Sequence, residues 1–224
     1  MYQNPYAKIK PKTKRPYTEI YLIRHCHPDY SLEKKLGERN MPLSKVGLKQ
    51  RKYLTERLLK MNLEVVYTSE IVRAKETAST FLKRSYLRET IEERINEIDW
   101  KHWHRIKYFH MTEKEREKRL KRHKYLDEEL DKMQIVARKA LRNVYESNKG
   151  KRVVLFSHGN FIKSLLTGIM NADIIGFLSL EIFQSSISKV VIDKEGYVKI
   201  STINDVNHLP KPPTKDQFIT LLED

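Results

Sequence analysis

Two histidines each close a short apolar, β-prone run. Glu19-Ile20-Tyr21-Leu22-Ile23 leads into Arg24-His25, and Val153-Val154-Leu155-Phe156 leads into Ser157-His158-Gly159-Asn160. In open α/β sheets, ligands bind beyond the carboxyl ends of the strands. Two such runs side by side would therefore bring two imidazoles and an arginine to one place, and that cluster suits an anion. A phosphate monoester is dianionic, and its transfer depends chiefly on positioning and on positive charge around the equatorial oxygens. Arginine serves because its planar guanidinium stays charged and grips two oxygens at once. A neutral histidine can attack phosphorus and split one hard displacement into two easier ones. The chemistry these residues imply is phosphoryl transfer through a phosphohistidine.

Two more groups complete such a site. Arg73, in Ser69-Glu70-Ile71-Val72-Arg73-Ala74, offers a second guanidinium. The leaving oxygen needs a proton, so a carboxylic acid of raised pKa should stand nearby. Glu97, in Arg94-Ile95-Asn96-Glu97-Ile98-Asp99-Trp100, is the candidate, although spacing alone does not separate it from Glu92, Glu93 or Asp99.

The elements that must position these groups alternate between strand and helix. After a strand at Thr18–Arg24, Ser44 is a good N-cap for a helix to about Met61, with Val46, Leu48, Leu54, Leu58 and Leu59 as its apolar face. Leu63–Tyr67 reads as a short strand, and Thr68-Ser69 opens a helix from Glu70 to about Arg84. Such alternation implies βαβ units and a mainly parallel sheet in an α/β fold. Further on, Leu130, Met133, Ala137, Ala140, Leu141 and Val144 recur at helical spacing. A strand at Val153–Ser157 and a helix from about Asn160 to Met170 follow. Ile187–Asp193 and Tyr197–Ile203 flank Lys194-Glu195-Gly196, a hairpin-type turn.

Composition sets the outer bounds. The 224 residues carry a net charge of +15, which favours anionic partners without choosing among phosphorylated metabolites, nucleic acid and acidic membranes. Cys26 is the single cysteine, so neither an intramolecular disulfide nor a cysteine-based zinc cluster can form. Residues 1–17 read as a flexible basic arm, without the apolar segment of a secretory signal. No stretch approaches the ~18 apolar residues of a membrane span, and a cytoplasmic protein is the expectation. Residues 101–124 hold 10 Lys/Arg against 3 Glu, with His102, His104, His110 and His123 interspersed. This stretch reads as a solvated basic face within a helical insertion at about 101–147, positioned to form a lid. Trp100 and Trp103 would anchor it, and 210–224 is a proline-containing tail.

Taken in order, the motifs resemble those of the histidine phosphatase (phosphoglycerate-mutase-like) superfamily over roughly residues 18–209. Arg24-His25-Cys26 corresponds to the family's Arg-His-Gly signature. Leu43-Ser44-Lys45-Val46-Gly47-Leu48-Lys49-Gln50 matches its Leu-Thr/Ser-x-x-Gly-x-x-Gln element. Ser69 to Ala78 matches a Ser-x-x-x-Arg-Ala-x-x-Thr-Ala element, Asn96-Glu97 the acid-bearing segment, and Ser157-His158-Gly159-Asn160 the second-histidine motif. Asn204-Asp205 with His208-Leu209 resembles a common family ending. The resemblance implies a three-layer α/β/α sandwich and no metal cofactor. It implies His25 as the phosphorylated nucleophile and Glu97 as the acid. Arg24, Arg73 and His158 would hold the phosphoryl group, with Gly159 and Asn160 beside them.

Three departures stand out. Cys26 replaces a glycine, the residue most tolerant of positive φ, and puts a thiol beside cationic groups, where a lowered pKa would invite oxidation; a small side chain filling a gap is the favoured reading. Ser31 stands where mutase-type members often carry asparagine, and Trp100-Lys101-His102-Trp103-His104 replaces a tryptophan-glycine-rich continuation. A cysteine-dependent phosphatase is excluded, because the residue six after Cys26 is Leu32 and not arginine. The expectation is a metal-independent phosphatase acting on a phosphorylated small molecule, polyanionic ones included. A mutase is the nearest alternative, disfavoured by the roughly sixty residues between Glu97 and His158. An anion- or nucleic-acid-binding protein without turnover is the other, and it would not need both histidines and Glu97 together.

Overall fold

In the computed structural model the two histidine runs pair directly. Strand β1 (Thr18–Arg24) lies parallel to β4 (Arg152–Ser157), in register from Glu19 opposite Arg152 to Arg24 opposite Ser157. Residues 17–99, 112–120 and 123–210 are described. The basic arm, the C-terminal tail, Trp100, Trp103 and the side chains of His102, His104, His110 and His123 lie outside them. Beyond β4 come β2 (Val65–Thr68) and the edge strand β3 (Glu89–Ile91), all parallel. On the other side of β1, β5 (Ile187–Ile192) and β6 (Val198–Asp205) run antiparallel, giving the order β3-β2-β4-β1-β5-β6. The mainly parallel sheet is as expected.

Helices cover both faces. Period-2 alternation sends Ile20, Leu22, Val153, Leu155, Val190 and Ile192 to one side. There they pack on α5 (His123–Ser147) and α6 (Gly159–Met170), whose contributions include Ala137, Ala140, Leu141, Val144, Phe161 and Leu165. The expected stripe from Leu130 to Val144 is buried throughout. Tyr21, Ile23, Val154 and Phe156 face the opposite way, onto Leu54 and Leu58 of α2 (Lys45–Leu59) and Ala78 and Phe81 of α3 (Val72–Ser85). The result is the three-layer sandwich. Shorter helices complete it: α1 (Glu33–Leu36), α4 (Glu113–Leu120) and α7 (Ile174–Ser179). The last packs through Ile174 and Phe177 on Leu130 and Met133 of α5. No helix among the described residues is long and apolar enough to cross a membrane.

At the junction of β2 and α3 the boundaries differ from the sequence reading, and the start of α3 has a local reason. Strand β2 begins two residues later than expected and ends one later, at Thr68, and α3 begins at Val72 instead of Glu70. Between them the chain is held by side chains. Asn96 Oδ1 accepts from the Glu70 N–H (3.2 Å), and Ser69 Oγ accepts from the Ile71 N–H (3.2 Å). Those amides serve the loop, so the helix starts after them.

Candidate active site

The C-terminal ends of β1 and β4 carry the two imidazoles to a centroid separation of 5.1 Å. The strand pairing continues past the strands, since the His25 N–H donates to the Ser157 carbonyl at 2.9 Å. Both rings are buried. His25 Nδ1 lies 2.8 Å from the Cys26 carbonyl oxygen, which can only accept, so Nδ1 carries the proton. Nε2 is left unprotonated, and its lone pair accepts from Arg73 Nε at 3.2 Å. Burial, then Arg73, His158 and Arg24, hold the His25 pKa well below the ordinary imidazole value. The ring is therefore a neutral nucleophile with a defined tautomer.

His158 is oriented by a chain of polar contacts. Ser69 Oγ donates to Asn96 Oδ1 at 2.7 Å, so its oxygen accepts from His158 Nε2, also at 2.7 Å. His158 Nδ1 is buried without a partner among the described residues. A buried polar atom in that position is costly unless a ligand meets it. Burial, Arg73 and Arg24 depress this imidazole's pKa as well. Glu97 is the carboxylate that joins the pair: one ligand-type atom each from His25, Glu97 and His158 lie within 4.8 Å of one another. Glu97 Oε1 accepts from the Asn160 N–H at 2.9 Å and the Ile98 N–H at 3.2 Å. Burial raises its pKa against the opposing pull of Arg73 and Arg24. Of its sequence competitors, Glu92 is paired with Arg94, while Glu93 and Asp99 are exposed.

The two guanidiniums flank this trio. Arg24 is buried and donates through Nη1 to the Ile182 carbonyl. Gly159 explains how it fits: a Cβ there would stand 3.3 Å from the guanidinium. As the first residue of α6, Gly159 also presents an N–H with no acceptor in its own helix, at an end that favours anions. Arg73 projects from the first turn of α3. His25, Glu97 and His158 have the spacing of a cation site, but two adjacent guanidiniums repel a dication. An anion fits better. Asn160 differs from its expected place at the anion: its N–H goes to Glu97, and its Nδ2 donates to the Ile98 carbonyl at 3.1 Å.

Much of the remaining motif holds backbone. The Cys26 N–H donates to Thr77 Oγ1 at 2.9 Å, which ties the histidine loop to the helix bearing Arg73. Gln50 Oε1 accepts from the His27 N–H at 2.8 Å, and the Ser44 N–H donates to the His27 carbonyl at 3.0 Å. From the far side the Ser185 N–H donates to the carbonyls of Arg24 and His25 at 3.1 and 3.2 Å. Ser185 Oγ lies 2.9 Å from His208 Nε2, and Asn204 Oδ1 accepts from the Phe183 N–H at 2.6 Å. The family-like ending therefore braces the turn behind the first histidine. Cys26 behaves as a small side chain filling a gap and not as a reactive thiol. Its backbone is not left-handed, so no strain follows from replacing glycine. Its thiol is fully buried and pushed up to about 12 by that burial, the reverse of an activated cysteine. The supporting roles of Ser69, Thr77, Gln50 and His208 are not evident from residue type. Their positions within spaced motifs were the available signal.

Comparison with known proteins gives the chain its family. Residues 20–206 match the family model of the histidine phosphatase superfamily, branch 1. A metal-independent phosphoserine phosphatase of Arabidopsis thaliana is 25% identical over 211 residues, covering 88% of this chain and 86% of that protein. A probable phosphoglycerate mutase GpmB of Photorhabdus laumondii is 23% identical over 209 residues, covering 87% and 96%. Among solved structures, the phosphoserine phosphatase of Entamoeba histolytica in complex with 3-phosphoglyceric acid superposes with a TM-score of 0.68. It is 20% identical, covering 86% of this chain and 99% of that one. With its motifs in order, its sheet as expected and its histidines converging, the chain belongs to the histidine phosphatase superfamily.

Proposed function

We propose that the protein hydrolyses a phosphate monoester through a phosphohistidine on His25, without a metal. The observation that carries this reading is the state of His25: a neutral ring whose Nδ1–H donates to the Cys26 carbonyl and whose unprotonated Nε2 accepts from Arg73 Nε, a donor that a phosphoryl oxygen can take over as Nε2 attacks. The Nε2 lone pair attacks phosphorus as the P–O ester bond breaks, and Glu97 gives its proton to the departing oxygen. Arg24, Arg73 and the Gly159 N–H stabilise the charge on the equatorial oxygens, and His158 joins them as a donor when the arriving dianion brings a proton onto its Nδ1, the ring nitrogen not engaged by Ser69. Water then attacks the phosphoryl group, and the Glu97 carboxylate takes the water's proton. The P–N bond breaks, and its electrons return to Nε2. The raised pKa of Glu97 lets it serve as acid and base in turn.

The substrate is a phosphorylated small molecule. Likeness to a phosphoserine phosphatase places phosphoserine first among the esters to be tried, and likeness to a probable mutase places phosphoglycerates next. The test is phosphate release from a panel of monoesters in EDTA, comparing wild type with His25→Ala. EDTA-resistant release that disappears in the variant is expected. A rearranged ester in place of free phosphate would make the protein a mutase, and release unchanged in His25→Ala would remove the histidine from the chemistry.

A further inference from the structure

Tyr30 brings a hydroxyl to the reaction centre whose hydrogen has no acceptor among the described residues. The residue opens a 3₁₀ turn, Tyr30–Leu32, shortly after His25. Its half-buried ring stands edge-on to His27, with the centroids 5.5 Å apart. The phenol oxygen accepts from Gln184 Nε2 at 3.4 Å, which leaves its own O–H to donate elsewhere. Gln184 is buried and sits in a segment fastened to Arg24 on both sides. Before it, the Ile182 carbonyl accepts from Arg24 Nη1; after it, the Ser185 N–H donates to the carbonyls of Arg24 and His25. The phenol is thereby pinned beside the Arg24-His25 pair.

Burial holds the phenol's pKa above its ordinary value against the pull of Arg24, Arg73 and the Gln184 amide, and the Glu97 carboxylate adds to the rise. The hydrogen therefore stays on the oxygen, within the field of three groups that surround the phosphoryl position. Ser31, the neighbouring hydroxyl, is exposed and spends its hydrogen on Asp29 Oδ1 at 2.5 Å. A dianionic phosphoryl group is rich in lone pairs, and a neutral donor held beside it out of water makes a stronger hydrogen bond than one in solution. We propose that Tyr30 is a further substrate-binding residue, steered by Gln184, whose hydroxyl donates to a non-bridging oxygen of the phosphoryl group. The proposal rests on the phosphatase reading in placing that group at His25. Because every ester shares the phosphoryl group, the contact strengthens binding without reading the leaving group.

Tyr30→Phe removes the hydroxyl and keeps the ring against His27. Binding of inorganic phosphate to the resting protein, followed by calorimetry at neutral pH, should weaken about tenfold. The kcat/KM for p-nitrophenyl phosphate and for propyl phosphate should fall by similar factors, with thermal melts confirming that the variant is folded. Gln184→Met leaves the hydroxyl in place but unsteered and should cost less than Tyr30→Phe. The double variant should cost no more than Tyr30→Phe alone, and additive losses would overturn the steering by Gln184. Phosphate binding and turnover unchanged in Tyr30→Phe would overturn the contact while leaving the phosphatase reading intact. A loss confined to one of the two esters would also overturn it, by moving Tyr30 to the leaving group. Calorimetry needs no turnover, so the two readings fail separately. A wild type that hydrolyses neither ester, with phosphate binding still weakened in Tyr30→Phe, would overturn the phosphatase reading and keep the contact.

Discussion

Three side chains do the proposed bond-making, and each owes its state to its surroundings. Glu97→Gln keeps the shape and removes the proton, so turnover of alkyl phosphates should fall by about 10²–10⁴-fold. An aryl phosphate, whose leaving group needs no proton, should suffer less, and steady-state kinetics on the two ester classes would show the difference. The pH profile has a defined sign. Activity needs His25 neutral and Glu97 protonated, so it should fall on the acid side through the depressed His25 pKa and on the alkaline side through the raised Glu97 pKa. Replacing Glu97 by Gln should remove the alkaline limb only. Cys26 is the counter-case. A buried thiol pushed up to about 12 should resist iodoacetamide at pH 8 in the native protein and react once denaturant is added. Rapid alkylation of folded protein would show that the loop opens.

At the scale of elements, α2 and α3 act as jigs for the histidine loop. Gly47 of α2 sits so close to that loop that a Cβ would stand 2.1 Å from the His27 carbonyl oxygen, a backbone atom with little room to move. Gly47→Ala should therefore destabilise the fold by about 1–3 kcal/mol and lower activity together with Tm, both readable from one set of thermal melts and assays. This contact also shows why the sequence was only partly legible. Strands β1 and β4 could be read because each is a short apolar, β-prone run, buried on both faces of the sheet, that ends in an unusual Arg-His or Ser-His pair. Helix α5 could be read from Leu130 onward because its apolar stripe keeps helical spacing. The start of α3 could not, because Ser69 and Glu70 look like helix-opening residues and are spent instead on His158 and Asn96. The contact of Glu38 with Arg73, whose Nη2 donates to Glu38 Oε1 at 3.2 Å, left no signal for a related reason: Glu38 belongs to no apolar pattern, and the two residues are 35 positions apart. Long-range polar contacts leave no periodicity in a sequence, whereas buried faces do.

The whole molecule carries far more positive than negative charge, +15 over 224 residues, while its proposed reaction centre adds two buried arginines. Such a field attracts anions over distances set by the Debye length, about 10 Å at 0.1 M salt. The expected consequence is that kcat/KM for a dianionic ester falls as ionic strength rises while kcat, measured at saturation, stays nearly constant. Stopped assays across a salt series would check this. A kcat that falls in parallel would place the salt effect on the chemistry or the fold. The sheet topology explains why so basic a chain can still hold a centre with defined protonation. Four parallel strands and helices on both faces enclose the histidines, so desolvation leads the forces that set their pKa values.

The most direct measurement is to trap the covalent intermediate. Protein quenched during turnover of a ³²P-labelled ester should carry a phosphoryl group that is labile in acid and stable in alkali, as a P–N bond is. The label should map to the peptide containing His25, and it should be absent from His25→Ala. An acid-stable label, or one that persists in His25→Ala, would contradict a histidine nucleophile.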